Sequence, residues 1–245
     1  MNGIKKFFHS AEVLLRSVPA TLTSLLVIGV VCMNILANKS IDLNLDWLAL
    51  DCGIFFSWAV FLVMDIVTKR FGVRAANILS VFALLINFLA AFIFFIVSII
   101  PGTWSQSYVV GSQNIINSAL NLTFASSWYV IMGSSVAFIV SAILNNFLFK
   151  AVEKAFKKKN FGTFTMASYA STFVAQLVDN LLFALIVSLN FFGWTFVQCF
   201  MCALTGAVFE LLCEAVFSPF GYKYAKRMSD KNVGKEYLEL IGEAQ

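Results

Sequence analysis

The chain has 245 residues, of which 60% are hydrophobic and 12% charged, with a formal net charge of +4 and a mean hydropathy of +0.85. Soluble domains carry about 25% charged residues, so the composition excludes a soluble enzyme or binding module and predicts an integral membrane protein. The basic residues are scattered over four segments rather than gathered on one fold, which argues against a nucleic-acid partner.

The first residues are basic and precede an apolar run, as in a secretory leader. The run at 20–37 is too long for a leader core, and it closes on Asn34, Asn38 and Lys39 where small residues would mark cleavage, so a retained first span is predicted. Further spans are predicted over 47–67, 75–100, 128–149, 164–189 and 193–217. Each is long enough for a helix rising 1.5 Å per residue to cross the hydrocarbon core. The runs are continuous rather than alternating, which excludes a transmembrane barrel. The fold class is therefore all-α, a polytopic bundle of six transmembrane helices forming a single domain over 1–245. What remains is an N-terminal segment, short connectors, an uncharged loop at 101–127 and a tail after Pro219.

Lysine and arginine favour the cytoplasmic side. Lys5, Lys6 and Arg16 precede span one; Lys69, Arg70 and Arg74 follow span two. Lys150, Lys154 and Lys157 to Lys159 follow span four, and Lys223, Lys226 and Arg227 follow span six. With six spans all of these share one side, which predicts both termini in the cytoplasm. The opposite side holds Lys39, with Asp42, Asp46 and Asp51 nearby.

Span one ends with Asn34 and Asn38 one turn apart, then Lys39. The amides suit a polar cavity; Lys39 is either part of it or a headgroup anchor. Span two ends with Asp65 and Lys69, spaced for an i, i+4 ion pair that is either structural or functional. In span five, Ser168, Ser171, Thr172, Ala175, Gln176 and Asp179 recur at three and four, which places small and polar groups on one stripe. Such a stripe also suits helix packing, but an aspartate at mid-depth, costing roughly 3 kcal/mol to insert, points to a working site. Asn180 follows it.

Span six carries Gln198, Cys202, Gly206, Glu210 and Glu214 at steps of four. Glu210 and Glu214 share one face, where two like charges would disfavour double ionisation; alternatively Glu214 snorkels towards the inner interface. The five cysteines read as small buried side chains. Cys199 and Cys202 form a CxxC, but His9 is the sole histidine, so no metal site and no cofactor is expected.

Three segments carry a resemblance: Asn34-Ile-Leu-Ala-Asn-Lys39, then Asp65-Ile-Val-Thr followed by Phe71-Gly72, then Ser171-Thr-Phe-Val-Ala-Gln-Leu-Val-Asp179-Asn. In this order they resemble the queuosine precursor transporters, also described as vitamin uptake or YhhQ-like transporters. The chain departs from that pattern in Lys69-Arg70 before Phe71-Gly72, where the family often has an acid, and in lacking a basic residue over 165–170. The resemblance implies a multi-pass protein of a bacterial inner membrane. It also implies import of a 7-deazaguanine, namely 7-cyano-7-deazaguanine, its 7-aminomethyl relative or queuine, for tRNA modification.

The chemistry suits such a cargo. A guanine-like edge presents an N–H beside an exocyclic amine, which one carboxylate accepts in a two-pronged, charge-assisted arrangement. Asp179 or Glu210 fits that part, and Asn34, Asn38, Gln176 or Asn180 fits the carbonyl and ring nitrogen. Asp65, Glu214 and Lys39 are candidates for coupling or gating. No nucleotide-binding motif is present, which favours a secondary carrier or facilitator over the alternative, the substrate-binding membrane subunit of an ATP-driven vitamin importer. Without a nucleophile and base pair, no enzyme is expected. The partners expected are the small deazapurine and the lipid bilayer; a homodimer is compatible with the sequence, although no motif specifies one.

Overall fold

The computed structural model describes residues 3–41, 43–104, 113–156 and 160–242. Asp42 and Lys157 to Lys159, counted in the charge bias, lie outside the described residues, as does part of the 101–127 segment. The helices, in chain order, are α1 Gly3–Ser17, α2 Ala20–Leu36, α3 Ile54–Phe71, α4 Val73–Ile99, α5 Gln113–Ala155, α6 Phe161–Phe183, α7 Leu189–Phe191, α8 Phe196–Asp230 and α9 Lys235–Ile241. A π-helical turn over Ala184–Ser188 joins α6 to α7. Two short strands, β1 Ser40–Ile41 and antiparallel β2 Leu50–Asp51, depart from the all-α expectation in the α2–α3 connector.

Four runs are long and apolar enough to cross a membrane: α4, α5, α6 with α7, and α8. The α1 and α2 pair, bent by 104°, makes a fifth if taken as one span. The bend falls at Pro19, whose extended ψ of 131° breaks the helical path. Alone, α2 has 17 residues, a rise of about 26 Å against a core of about 30 Å. α3 carries Asp65, Lys69 and Arg70 within 18 residues. It tolerates them because it is central, buried without interruption from Val60 to Thr68, so these charges meet protein rather than lipid. By contrast α4 exposes Leu85, Leu89, Phe92 and Ile99, a surface suited to acyl chains.

Several predicted ends move. The second segment begins at Ile54 rather than Trp47, because Asp51 Oδ1 accepts from the Gly53 N–H at 2.7 Å and fixes a turn ahead of the helix. Gly72 then ends α3 and opens α4 with a φ of 85°, a left-handed backbone that favours glycine. The 101–127 loop is shorter than predicted, since α5 starts at Gln113 and residues 113–127 contain no proline or glycine. Trp104 folds the connector onto that helix, donating its N–H to Asn117 Oδ1 at 2.7 Å and its indole to Asn121 Oδ1 at 2.8 Å.

Pro219 does not end the last helix; α8 continues to Asp230. A proline removes the hydrogen bond to the carbonyl four residues earlier, here Ala215, and the Tyr169 hydroxyl lies 3.3 Å from that oxygen as a substitute donor. Two terminal helices not predicted from sequence meet at one end of the bundle. α1 buries Val13 and Leu14 and exposes Phe7 and Phe8, as an interfacial helix does. Its Arg16 lies 3.5 Å from Glu236 of α9, which itself buries Tyr237 and Leu238.

Candidate functional site

The polar stripe of α6 faces inward: Ser168, Ser171, Thr172, Gln176 and Asp179 are all buried, against α5 on one side and α8 on the other. Asn160 starts this helix by accepting the Thr163 N–H at 3.0 Å. Along the seam two groups of carboxyls stand at different levels, 11 residues or about 16 Å apart on α6.

The first group lies near the hairpin. Ser141 of α5 donates to Asp179 Oδ1 at 2.7 Å. Asn180 donates to Glu210 Oε2 at 3.4 Å, and Ser57 of α3 donates to the other oxygen of Glu210, which is fully buried. Gly206 makes room for this arrangement, since a Cβ there would lie 2.6 Å from Asn180 Nδ2. Asp179, Asn180, Ser57, Ser134, Cys202 and Asp51 line a cavity of about 40 Å³. That volume accommodates a few waters, not a bicyclic base, so the helices must move apart before such a ligand fits. No lysine or arginine lines this cavity among the described residues. Burial pushes the Asp51 carboxyl, in the hairpin outside the spans, from 3.8 up to about 6, against the lowering effect of the Gly53 N–H.

The second group lies towards the basic end. Asn145 of α5 donates to Asp65 Oδ1 at 2.8 Å, and the Ser168 hydroxyl contacts both Asp65 and Glu214, so α3, α5, α6 and α8 converge on one cluster. Asp65 and Glu214 are both fully buried. The polar path continues from Thr68, which donates to Asn146 Oδ1 at 3.1 Å, to Asn77, which accepts from Asn146 at 2.6 Å.

Three sequence-based pairings change. Asp65 does not pair with Lys69; Lys69 reaches Glu153 on α5, while Asp65 turns into the bundle. Glu214 does not snorkel, and its carboxyl neighbour is Asp65 rather than Glu210, because Glu210 engages Ser57 and Asn180 one turn away. Gln198 belongs to the cap of α8: its side chain accepts from Thr195 N–H at 2.8 Å and donates to the Asp46 carbonyl at 3.0 Å.

The remaining candidates divide. Gln176 is fully buried and neither amide atom has a partner, an arrangement that costs free energy unless water or ligand supplies one. Asn34 is buried, donates to Val30 O at 2.9 Å and leaves its own oxygen unpartnered. Asn38 donates back to Ile35 O at 3.1 Å at the helix end. Lys39 is exposed and lines neither cavity described for the protein. The sequence reading missed Ser57, Ser141, Asn145 and Asp51 as site members. A signal existed in Ser134, Ser141 and Asn145, spaced by seven and four, and in Ser57, two turns before Asp65.

A multi-pass bundle with buried carboxylates converging beside a small polar cavity is the architecture of a small-molecule transporter. The family described as "Putative vitamin uptake transporter" matches residues 51–224. The chain belongs to this family, and the resemblance carried by Asp65 to Gly72 and Ser171 to Asn180 falls within the matched region. No curated protein and no solved structure matches the chain.

Proposed function

We propose that the protein imports a queuosine precursor across a bacterial inner membrane as a secondary carrier or facilitator, with six spans and both termini in the cytoplasm. The observation that carries this reading is the approach of Asp179 and Glu210, through Asn180 and Ser57, around a narrow polar cavity in an uptake-transporter chain. Asp179 Oδ2 has no hydrogen-bond partner among the described residues. In this reading the carboxylate accepts the N–H and exocyclic amine of the deazaguanine. Gln176 and Asn180 read its carbonyl and ring nitrogen after the bundle opens, and Asn34 and Asn38 border the path. Asp65 and Glu214, joined by Ser168 across three helices, couple or gate the movement in the same reading.

Charge refines the choice of cargo. Asp51 and Asp179 line the cavity, Glu210 stands behind it, and among the described residues no lysine or arginine lines it. This favours the 7-aminomethyl base, whose ammonium complements the acids, over the neutral 7-cyano base.

Thermal unfolding of the purified protein with each deazaguanine, guanine and riboflavin tests the reading, since a bound ligand raises the midpoint. Stabilisation by deazaguanines alone, abolished in Asp179→Ala, supports it. Stabilisation by riboflavin alone would replace it with a vitamin carrier, and a co-purifying ATPase would favour the importer-subunit alternative.

A further inference from the structure

A second cavity, larger than the acidic one, lies at the other end of the bundle. At the basic end a cleft of about 570 Å³ opens between the ends of α3, α5, α8 and α9, a volume typical of small-molecule sites. Lys69, Arg70, Lys150, Lys226 and Lys235 line it, opposed by Glu153 and Asp230, an excess of three positive charges. Glu153 is buried and fixes two of the cations at the wall: Lys69 contacts it, and Lys150 Nζ lies 3.2 Å away. Arg70 donates its Nε–H to the Val233 carbonyl at 3.0 Å. That bond sets the plane of the guanidinium, whose other N–H groups have no partner among the described residues. Lys226 has no carboxylate partner among them either, and Lys235 reaches only Glu239, at 3.5 Å on the exposed side. Tyr222, Ser229 and Asn232 add hydroxyl and amide donors.

We infer that this cleft binds a phosphate-bearing anion. Donors converge there from four helices, and an oriented guanidinium, two pinned ammoniums and a net positive wall match an anion with several acceptor oxygens and more than one charge. The bound anion would tie α9 and the end of α8 to α3 and α5. The inference goes beyond the transport reading and stands whether or not the acidic cavity takes a deazaguanine. Two sources present this chemistry, a soluble phosphate compound and the headgroup of an acidic phospholipid.

The test uses the full chain, with inorganic pyrophosphate as the soluble probe at constant ionic strength. Nanodiscs of phosphatidylglycerol, compared with nanodiscs of phosphatidylcholine, serve as the lipid probe. The readout is the unfolding midpoint of wild type, Arg70→Gln and Lys226→Gln. Lys226 is exposed and carries no ion pair, so its variant should keep the wild-type midpoint without a probe. A pyrophosphate response that each variant weakens about tenfold, the size of one charge-assisted contact, identifies a soluble ligand. A response confined to phosphatidylglycerol and reduced in both variants identifies the headgroup. No response to either probe, or an equal response in wild type and Lys226→Gln, overturns the inference.

Discussion

Asn145 of α5 donates its side-chain amide to Asp65 of α3 at 2.8 Å, with both residues fully buried. The bond joins the central helix to the long helix that also holds Asp179 through Ser141. The second shared partner of Asp65, Ser168, brings in α6, and Glu214 adds α8. A movement that opens the acidic cavity by displacing α6 or α8 must therefore rearrange this cluster.

Asn145→Leu tests the strength of that tie. It removes a donor from a buried carboxyl, a loss of about 1–3 kcal/mol, and should lower the unfolding midpoint. Asp65→Leu with Asn145→Leu removes both ends of the bond, and Ser168 keeps Glu214 as its acceptor, so the double variant should be no less stable than Asn145→Leu alone. A double variant with additive losses would show that the two residues act separately.

Gly206→Ala separates binding from folding. Its Cβ would meet Asn180 Nδ2 at 2.6 Å, the far end of a flexible side chain, so the amide can swing away from Glu210 at modest cost to the fold. Deazaguanine affinity, measured by calorimetry, should fall about tenfold or more, the scale of a charge-assisted hydrogen bond. Because the Asn180–Glu210 contact is long at 3.4 Å and Ser57 still donates to Glu210, the unfolding midpoint of the free protein should fall less than in Asn145→Leu. Unchanged affinity would remove Asn180 from the ligand's surroundings.

The long apolar helices and the inward placement of Asp179 and Glu210 are legible in the sequence, because acids deep inside apolar runs must turn away from lipid, whereas Asp65 and Glu214 lie close enough to span ends that an edge ion pair or snorkelling read equally well. Their partners are not. Spacing alone offers Lys69 to Asp65 and Glu214 to Glu210, yet interhelical packing delivers Asn145, Ser168 and Ser57 instead. Serine and asparagine give weak signals because they serve equally in helix packing. Asp51 escaped notice because its burial depends on a two-residue hairpin and a turn, and Lys69 finds Glu153 only through the fold, across 84 residues.

Pro219 yields a double-variant test of long-range compensation. Tyr169→Phe removes the hydroxyl beside the free Ala215 carbonyl and the Ser218 hydroxyl, 3.3 and 3.1 Å away. It should cost about 1 kcal/mol. In a Pro219→Ala background the restored N–H can bond Ala215 itself, so the same tyrosine change should cost less. Equal losses in both backgrounds, read from unfolding midpoints, would refute the substitute-donor role.

Asp51 sets a pH dependence with a definite sign. Its folded carboxyl titrates at about 6 against 3.8 when unperturbed, so the folded state holds the extra proton between these values. Its stabilising contribution is complete below about pH 4 and lost as the pH rises through 6. Binding of the cationic 7-aminomethyl base should run the other way, tightening as Asp51 gains its charge across that interval, while the 7-cyano base should not gain. Asp51→Asn should flatten both slopes attributable to this group. Calorimetric titration from pH 5 to 7.5 decides the matter: a slope for the aminomethyl base that persists undiminished in Asp51→Asn would place the responsible charge elsewhere in the site.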